Sequence, residues 1–220
     1  MLHCLIVILV FSGGVTCYAQ TNVVSFLNAG ESAFTARKYE VALTNVTKAI
    51  ELNPQYPDAY NYRGMIKWWL QDYSGAIADY DKAITLNPKC GGFYCNRGQA
   101  KDSLKMVAEA LADYDKAIEL DPTNAQAYFN RGTLKVLSLT NYTEAIADFT
   151  KAIELHSDPQ EEDLFYWRGV ARDELKDYGG AIADYTKSLE LNTNADWGNS
   201  FAAKTNLVLA RKLLLESERK

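Results

Sequence analysis

A glycine recurs along this chain at a fixed interval. Gly30, Gly64, Gly98 and Gly132 stand 34 residues apart, and Gly169 follows after 37. Four of the five follow an arginine, as Arg63, Arg97, Arg131 and Arg168. Twelve residues beyond a glycine comes an alanine (Ala42, Ala76, Ala110, Ala181), and seven further on a second small residue (Ala49, Ala83, Ala117, Ser188). Three units close on Leu-Asn-Pro or Leu-Asp-Pro, with Pro54, Pro88 and Pro122. A period near 34 with small residues at fixed offsets is the mark of a helix–turn–helix solenoid. Such an array grows by adding units, so the spacing predicts one continuous all-α domain.

The second half of each unit carries the clearer helical stripe. Ala76, Ile77, Tyr80, Ala83 and Ile84 repeat as Ala110, Leu111, Tyr114, Ala117 and Ile118. Apolar residues at i, i+3, i+4 and i+7 make a half-buried helix, and no stretch alternates with the period of two that a strand requires. The alanines permit close helix approach, and the prolines mark where each second helix stops. Aligned on the glycines, the units run 23–56, 57–90, 91–124, 125–161 and 162–195. A final amphipathic stretch, 196–220, predicts one more helix that caps the array. Its leucines also suit a second role, an oligomer interface.

The segments Tyr60-Asn61-Tyr62-Arg63-Gly64, Tyr94-Cys95-Asn96-Arg97-Gly98 and Tyr128-Phe129-Asn130-Arg131-Gly132 resemble the first-helix motif of the tetratricopeptide repeat family. Ala76 to Pro88 resembles its second-helix motif. The resemblance spans about 23–195 and implies a right-handed α-solenoid of five repeats with a C-terminal solvating helix. It also implies a concave wall built by the first helices. Helical spacing puts on that wall Asn61, Tyr62, Met65 and Trp69; Cys95, Asn96, Gln99 and Ser103; Phe129, Asn130, Thr133 and Leu137; Tyr166, Trp167, Val170 and Glu174. Aromatics beside amides suit an extended peptide, the rings giving contact area and the amides pairing with its main chain. One subgroup of the family clamps a chaperone's C-terminal carboxylate. The matching positions here are Leu27, Glu31, Tyr62, Gly92 and Asn96, and Glu31 would repel that ligand. The fourth unit departs from the pattern: its alanine is displaced to Ala145, implying an extra residue in the 139–142 turn.

A charge pattern accompanies the glycines. Units two to five carry the arginine before the glycine, a base three after it (Lys67, Lys101, Lys135, Arg172) and an aspartate in the second helix (Asp79, Asp113, Asp148, Asp184). Unit one lacks all three, having Ala29, Ala33 and Asn45. Joint presence and joint absence fit ion pairs across the two helices of a unit, and also fit solvated charges inherited from one copied ancestor. Exposed pairs would add only roughly 0–1 kcal/mol each.

The first nineteen residues stand apart. An apolar run, 5–11, precedes Ser12-Gly13-Gly14, and Cys17 and Ala19 make a small-residue cleavage site before Gln20. The reading is a signal peptide over 1–19 and export to an envelope compartment or the medium; the alternative is an uncleaved membrane anchor over 2–19. Cleavage leaves Cys90 and Cys95, which can pair only if Cys90 turns back from its loop, and otherwise serve as separate thiols. A net charge of −5, with no basic run, argues against nucleic acid as a partner. No phosphate loop, zinc motif or nucleophile elbow is present, and His156 is the single histidine beyond the signal segment. The Glu161-Glu162-Asp163 run reads as helix-dipole complementation. The expectation is a non-enzymatic scaffold for a protein or peptide, with no cofactor, metal or small-molecule substrate. The competing expectation is a structural assembly factor that forms homo-oligomers through its C-terminal helix.

Overall fold

A computed structural model of the protein describes residues 22–155, 161–192 and 197–218, and every regular element among them is helical. Residues 1–19 (read above as a signal peptide), His156 and the rest of the 156–160 junction lie outside the described residues. Helix α1 covers 22–35. It is followed by α2 (Tyr39–Leu52), α3 (Pro57–Trp69), α4 (Tyr73–Leu86), α5 (Gly91–Ser103) and α6 (Val107–Leu120). Then come α7 (Ala125–Leu134), a π-helical turn Lys135–Leu139, α8 (Tyr142–Glu154), α9 (Glu161–Glu174), α10 (Tyr178–Leu191) and α11 (Trp197–Ser217). Two compact units divide the chain between Lys105 and Met106. The first holds α1 to α5 and the second α6 to α11.

Inside each unit the sequence period has a steric cause. A Cβ on Gly64 would lie 2.6 Å from Cε1 of Tyr80, and one on Gly132 would lie 2.9 Å from Cε1 of Phe149. Those rings are 2% and 0% exposed, so they have nowhere to retreat. Glycine on the first helix and an aromatic on the second are therefore one packing element, written at two sequence positions. Gly169 and Tyr185 repeat it, and Gly30 meets the smaller Val46 in the first repeat. The small residues of the second helices, Ala42, Ala49, Ala76, Ala83, Ala145, Ala152 and Ala181, are all essentially inaccessible.

The Leu-Asn-Pro closes are also physical. The backbone N–H of Asn53 still reaches Ala49 O, and that of Asn87 reaches Ala83 O. Their side-chain oxygens then accept from the N–H two residues on, Gln55 at 3.1 Å and Lys89 at 3.3 Å, across a proline that has no donor to offer. Asp121 does the same for Thr123 at 3.0 Å. The phenol of the next first helix fixes the loop, with Tyr60 Oη donating to Pro54 O and Tyr94 Oη to Pro88 O, both at 3.2 Å.

The turns within repeats each hold one residue in the left-handed region: Arg37, Gln71, Lys105, Thr140 and Lys176. Asp72, Asn141 and Asp177 then cap the following helices by accepting from Gly75, Glu144 and Gly180 N–H. The extra residue of the fourth repeat is not looped out between 139 and 142 as expected. It widens the end of the first helix into the π turn Lys135–Leu139, so that Asn141 N–H bonds to Lys135 O across the wider ring.

Candidate peptide-binding face

The arginine of the repeat motif is an organising centre, and its carboxylate partner is buried. Arg63 forks onto Asp79, with Nε at 2.9 Å and an Nη at 2.6 Å, while Lys67 reaches the same carboxylate at 2.7 Å. Arg131 and Lys135 hold Asp148 in the same way, and Arg168 and Arg172 hold Asp184. Each guanidinium also lies over the ring three residues before it, Tyr60, Tyr128 or Phe165, at 5.3–5.6 Å. Asp79, Asp148 and Asp184 are only 3–4% exposed, so the small contribution assigned to solvated pairs does not apply.

The remaining guanidinium nitrogen reaches backward to the preceding repeat. Arg97 bonds Asp81 at 2.6 Å, Arg131 bonds Asp115 at 2.7 Å, and Arg168 bonds Thr150 at 3.2 Å. Sequence reasoning missed these acceptors, although they sit two residues after the buried aspartate in each case. For Arg131, burial works against the charge, but hydrogen bonds to Asp148 and Asp115 outweigh it and raise the pKa. The charge network thus fastens second helices to first helices and leaves the opposite side of the first helices free for other work.

On that side of the first unit the expected residues form two groups. Asn96 Nδ2 donates to Asn61 Oδ1 at 2.9 Å, and Asn61 lies against Met65. Trp69 is 53% exposed and stacks on Tyr39, with ring centres 6.2 Å apart and planes at 11°. Phe34 stands between Trp69 and Tyr62, at 6.2 and 6.0 Å. Ser103 accepts from the Trp68 indole at 3.2 Å and donates to the carbonyl of Gln99, so its hydroxyl is tied within the unit. Cys95, expected on the open wall, is instead 4% exposed. It shares a helical stripe with the buried Gly91 and Gly98, and the stripe turns it inward. Cys90 precedes α5 as its N-cap residue, and the two cysteines are separate thiols.

In the second unit Phe129 sets its ring 6.1 Å from Phe149, and Thr133 Oγ1 donates to Phe129 O at 2.9 Å. Asn130 Oδ1 accepts from Gln126 at 2.8 Å. Tyr166 contacts both Trp167, at 5.4 Å, and Tyr185, at 6.1 Å. Trp167 and Val170 pack against the core beside Ala171, while Leu137 is 64% exposed on the π turn and Glu174 is exposed at the end of α9.

The first unit also contains a cleft, and three of the positions matched above to the carboxylate clamp, Leu27, Glu31 and Tyr62, line it. It encloses about 210 Å³ between α1 and α3 and is lined by Leu27, Asn28, Glu31, Tyr56, Asp58, Asn61 and Tyr62. Leu27, Asn28 and Glu31 stand three and two before and one after Gly30, the offsets used for the other glycines. Of these three, Asn28 alone was not singled out by the clamp comparison, and the same offsets applied to the first repeat would have found it. Among the described residues no group of three or more His, Cys, Asp or Glu is placed to hold a metal ion.

Known proteins place this architecture. Sequence profiles described as tetratricopeptide repeat match residues 57–90 and 136–196, and one described as TPR repeat matches 106–135. The chain is a tetratricopeptide repeat protein. No curated protein sequence matches it. Among solved structures, a thermophilic TPR protein of Thermus thermophilus aligns with a TM-score of 0.69 at 20% identity, covering 84% of this chain and 99% of that one. YrrB, described as a TPR protein with an unusual peptide-binding site, aligns at 0.60 and 22% identity, covering 84% and 93%. The first TPR of Spaghetti (RPAP3), bound to the HSP90 peptide SRMEEVD, aligns at 0.51 and 26% identity, covering 53% and 92%. The tetratricopeptide architecture accounts for the glycine period, the small residues and the aromatic partners as one repeated packing unit.

Proposed function

We propose that this tetratricopeptide repeat protein is an exported, non-enzymatic scaffold that holds an extended segment of a protein partner on its first helices. The observation that carries the reading is Trp69. More than half of its surface is exposed, yet it is held by stacking on Tyr39 and by edge contacts with Phe34 and Trp68. A rigid exposed aromatic is costly on a surface with no partner and well suited to anchoring a peptide. Two structural neighbours, YrrB and the RPAP3 repeat domain, are described with peptide sites. The ligand of the latter does not carry over, because Glu31 and Asp58 line the cleft that an acidic C-terminus would have to approach.

The test is capture of capped synthetic peptides of random sequence on immobilised protein. Wild type is expected to retain a discrete peptide pool. Trp69→Ala, or Asn61→Ala with Asn96→Ala, should weaken retention about tenfold, equivalent to about 1.4 kcal/mol, with the circular dichroism spectrum unchanged. Equal retention by folded variants would contradict the reading. Export rests on the apolar run 5–11 and the Ala19 boundary. Intact-mass analysis of the native protein is expected to find Gln20 at the N-terminus. Met1 retained in a carbonate-resistant membrane fraction would establish the anchor instead.

One observation favours a second reading, assembly through α11. Phe201, Val208 and Leu215 recur every seven residues on that helix and are 69%, 68% and 55% exposed. Residues seven apart share one face of a helix, and an exposed apolar face is one that a second copy can cover.

A further inference from the structure

The cleft between α1 and α3 is apolar at its base and acidic in its charge. Leu27, Tyr56 and Tyr62 pack against the core cluster of the first unit and supply the apolar walls. Glu31 and Asp58 bring two carboxylates, and among the described residues no lysine, arginine or histidine lines the cleft. Asp58 sits in the first turn of α3, where it also complements the helix dipole. Glu31 is in the body of α1, where no dipole argument accounts for it. Neither carboxylate has an ion-pair partner among the described residues, whereas the aspartates of the repeat motif at 79, 148 and 184 are each held by two cations.

A further observation concerns the wall. The Tyr62 hydroxyl oxygen is shielded from solvent and has no hydrogen-bond partner. A buried polar atom left without a partner carries a desolvation cost, so this wall is polar beneath its apolar surface. Its pKa is raised by burial and then by the charge of Glu31, so at neutral pH it is a phenol beside a carboxylate.

From this geometry we infer that the cleft is a specificity pocket for a lysine or arginine side chain of the bound peptide. The inference rests on the peptide-scaffold reading above and names the residue class that reading leaves open. A basic side chain matches the cleft along its length. Its methylene stem covers the apolar walls, and its charged head can donate to the carboxylates of Glu31 and Asp58. A carboxylate would be repelled by both acids, and a purely apolar side chain would crowd two carboxylates without pairing either of them. The net charge of −5 adds a long-range attraction for basic segments.

The experiment uses the full mature chain and the capped peptide pool, with sequencing of the retained peptides. Capping removes terminal amines, so only side chains can supply the cation. Retained peptides should be enriched in Lys or Arg at one position. Replacing that residue by norleucine, which keeps the stem and loses the charge, should weaken binding at least tenfold in fluorescence anisotropy. Glu31→Gln with Asp58→Asn should abolish the enrichment while leaving the helical spectrum intact, and added salt should weaken wild type more than the variant. Retention with no basic enrichment, or norleucine binding as well as lysine, would overturn the pocket while leaving the peptide scaffold standing. Retention of no peptide by wild type would overturn both.

Discussion

Asp148→Ala is expected to destabilise the protein by about 3–5 kcal/mol, the loss typical of removing one member of a buried ion cluster. The carboxylate is 4% exposed and holds two cations at once, Arg131 through a fork and Lys135 at 2.9 Å. Arg131 would keep Asp115 and its place over Tyr128. Lys135 would not fare so well. It is 7% exposed, and its other partner, Glu144, is a solvent-facing side chain at 3.0 Å. Most of the loss should therefore come from an ammonium left buried without its main partner. Lys135→Met in the Asp148→Ala background should recover part of it, giving a coupling above about 1 kcal/mol in a double-mutant cycle. The readout is urea unfolding followed by circular dichroism. A loss below about 1 kcal/mol would return the pattern to the class of solvated, copied charges.

Phe149→Ala should cost about as much, roughly 3–5 kcal/mol, because the ring is fully buried and its removal opens a cavity against α7. The sharper expectation concerns its partner. Gly132→Ala alone should destabilise: the new methyl lies 2.9 Å from the Phe149 ring, and overpacking of about 1–3 kcal/mol outweighs a helix-propensity gain of about 1 kcal/mol. In the Phe149→Ala background the clash is gone and the propensity gain remains. There Gly132→Ala should stabilise by about 1 kcal/mol. A substitution that changes sign with its neighbour would show that the glycine period records ring packing and nothing else. If Gly132→Ala destabilises equally in both backgrounds, the glycine has another cause.

How far the sequence could be read depends on which interaction left a periodic trace. Gly64 with Tyr80 and Gly132 with Phe149 are fixed by direct contact, so both partners recur at constant offsets and the fold follows from them. The Arg, base and Asp pattern was equally visible, but periodicity does not report depth. An aspartate beside a tyrosine on an amphipathic helix sits at the edge of the stripe, where solvent and core look alike in sequence. Asp81 and Asp115 were missed because an acid in an exposed second-helix position looks like an ordinary solubilising charge. The π turn was missed because an insertion is most cheaply assigned to a loop, whereas here Lys135 must stay on the helix to reach Asp148. On the candidate face, Asn61, Tyr62 and Trp69 came from helical spacing applied to the wall that the family resemblance implies. Phe34 and Tyr39 did not, since they lie four and nine residues past Gly30, at the end of the first helix and the start of the second, outside the offsets used for the wall. Leu27 and Glu31 were legible only as positions unfit for a carboxylate, because sequence matching does not show that they enclose a cleft with Tyr62.

Site-specific photocrosslinking in the native host tests the central claim most directly. Benzoylphenylalanine placed at Trp69 stands on the first-helix face, and at Ala78 or Ala112 it stands on the exposed side of a second helix. At Phe201 it reports on the apolar seam of α11. The account predicts a discrete protein adduct from position 69 and none from 78 or 112, with the crosslinked peptide of the partner identifiable by mass spectrometry. Adducts from the second-helix positions with none from 69, or self-adducts from 201 alone, would contradict it.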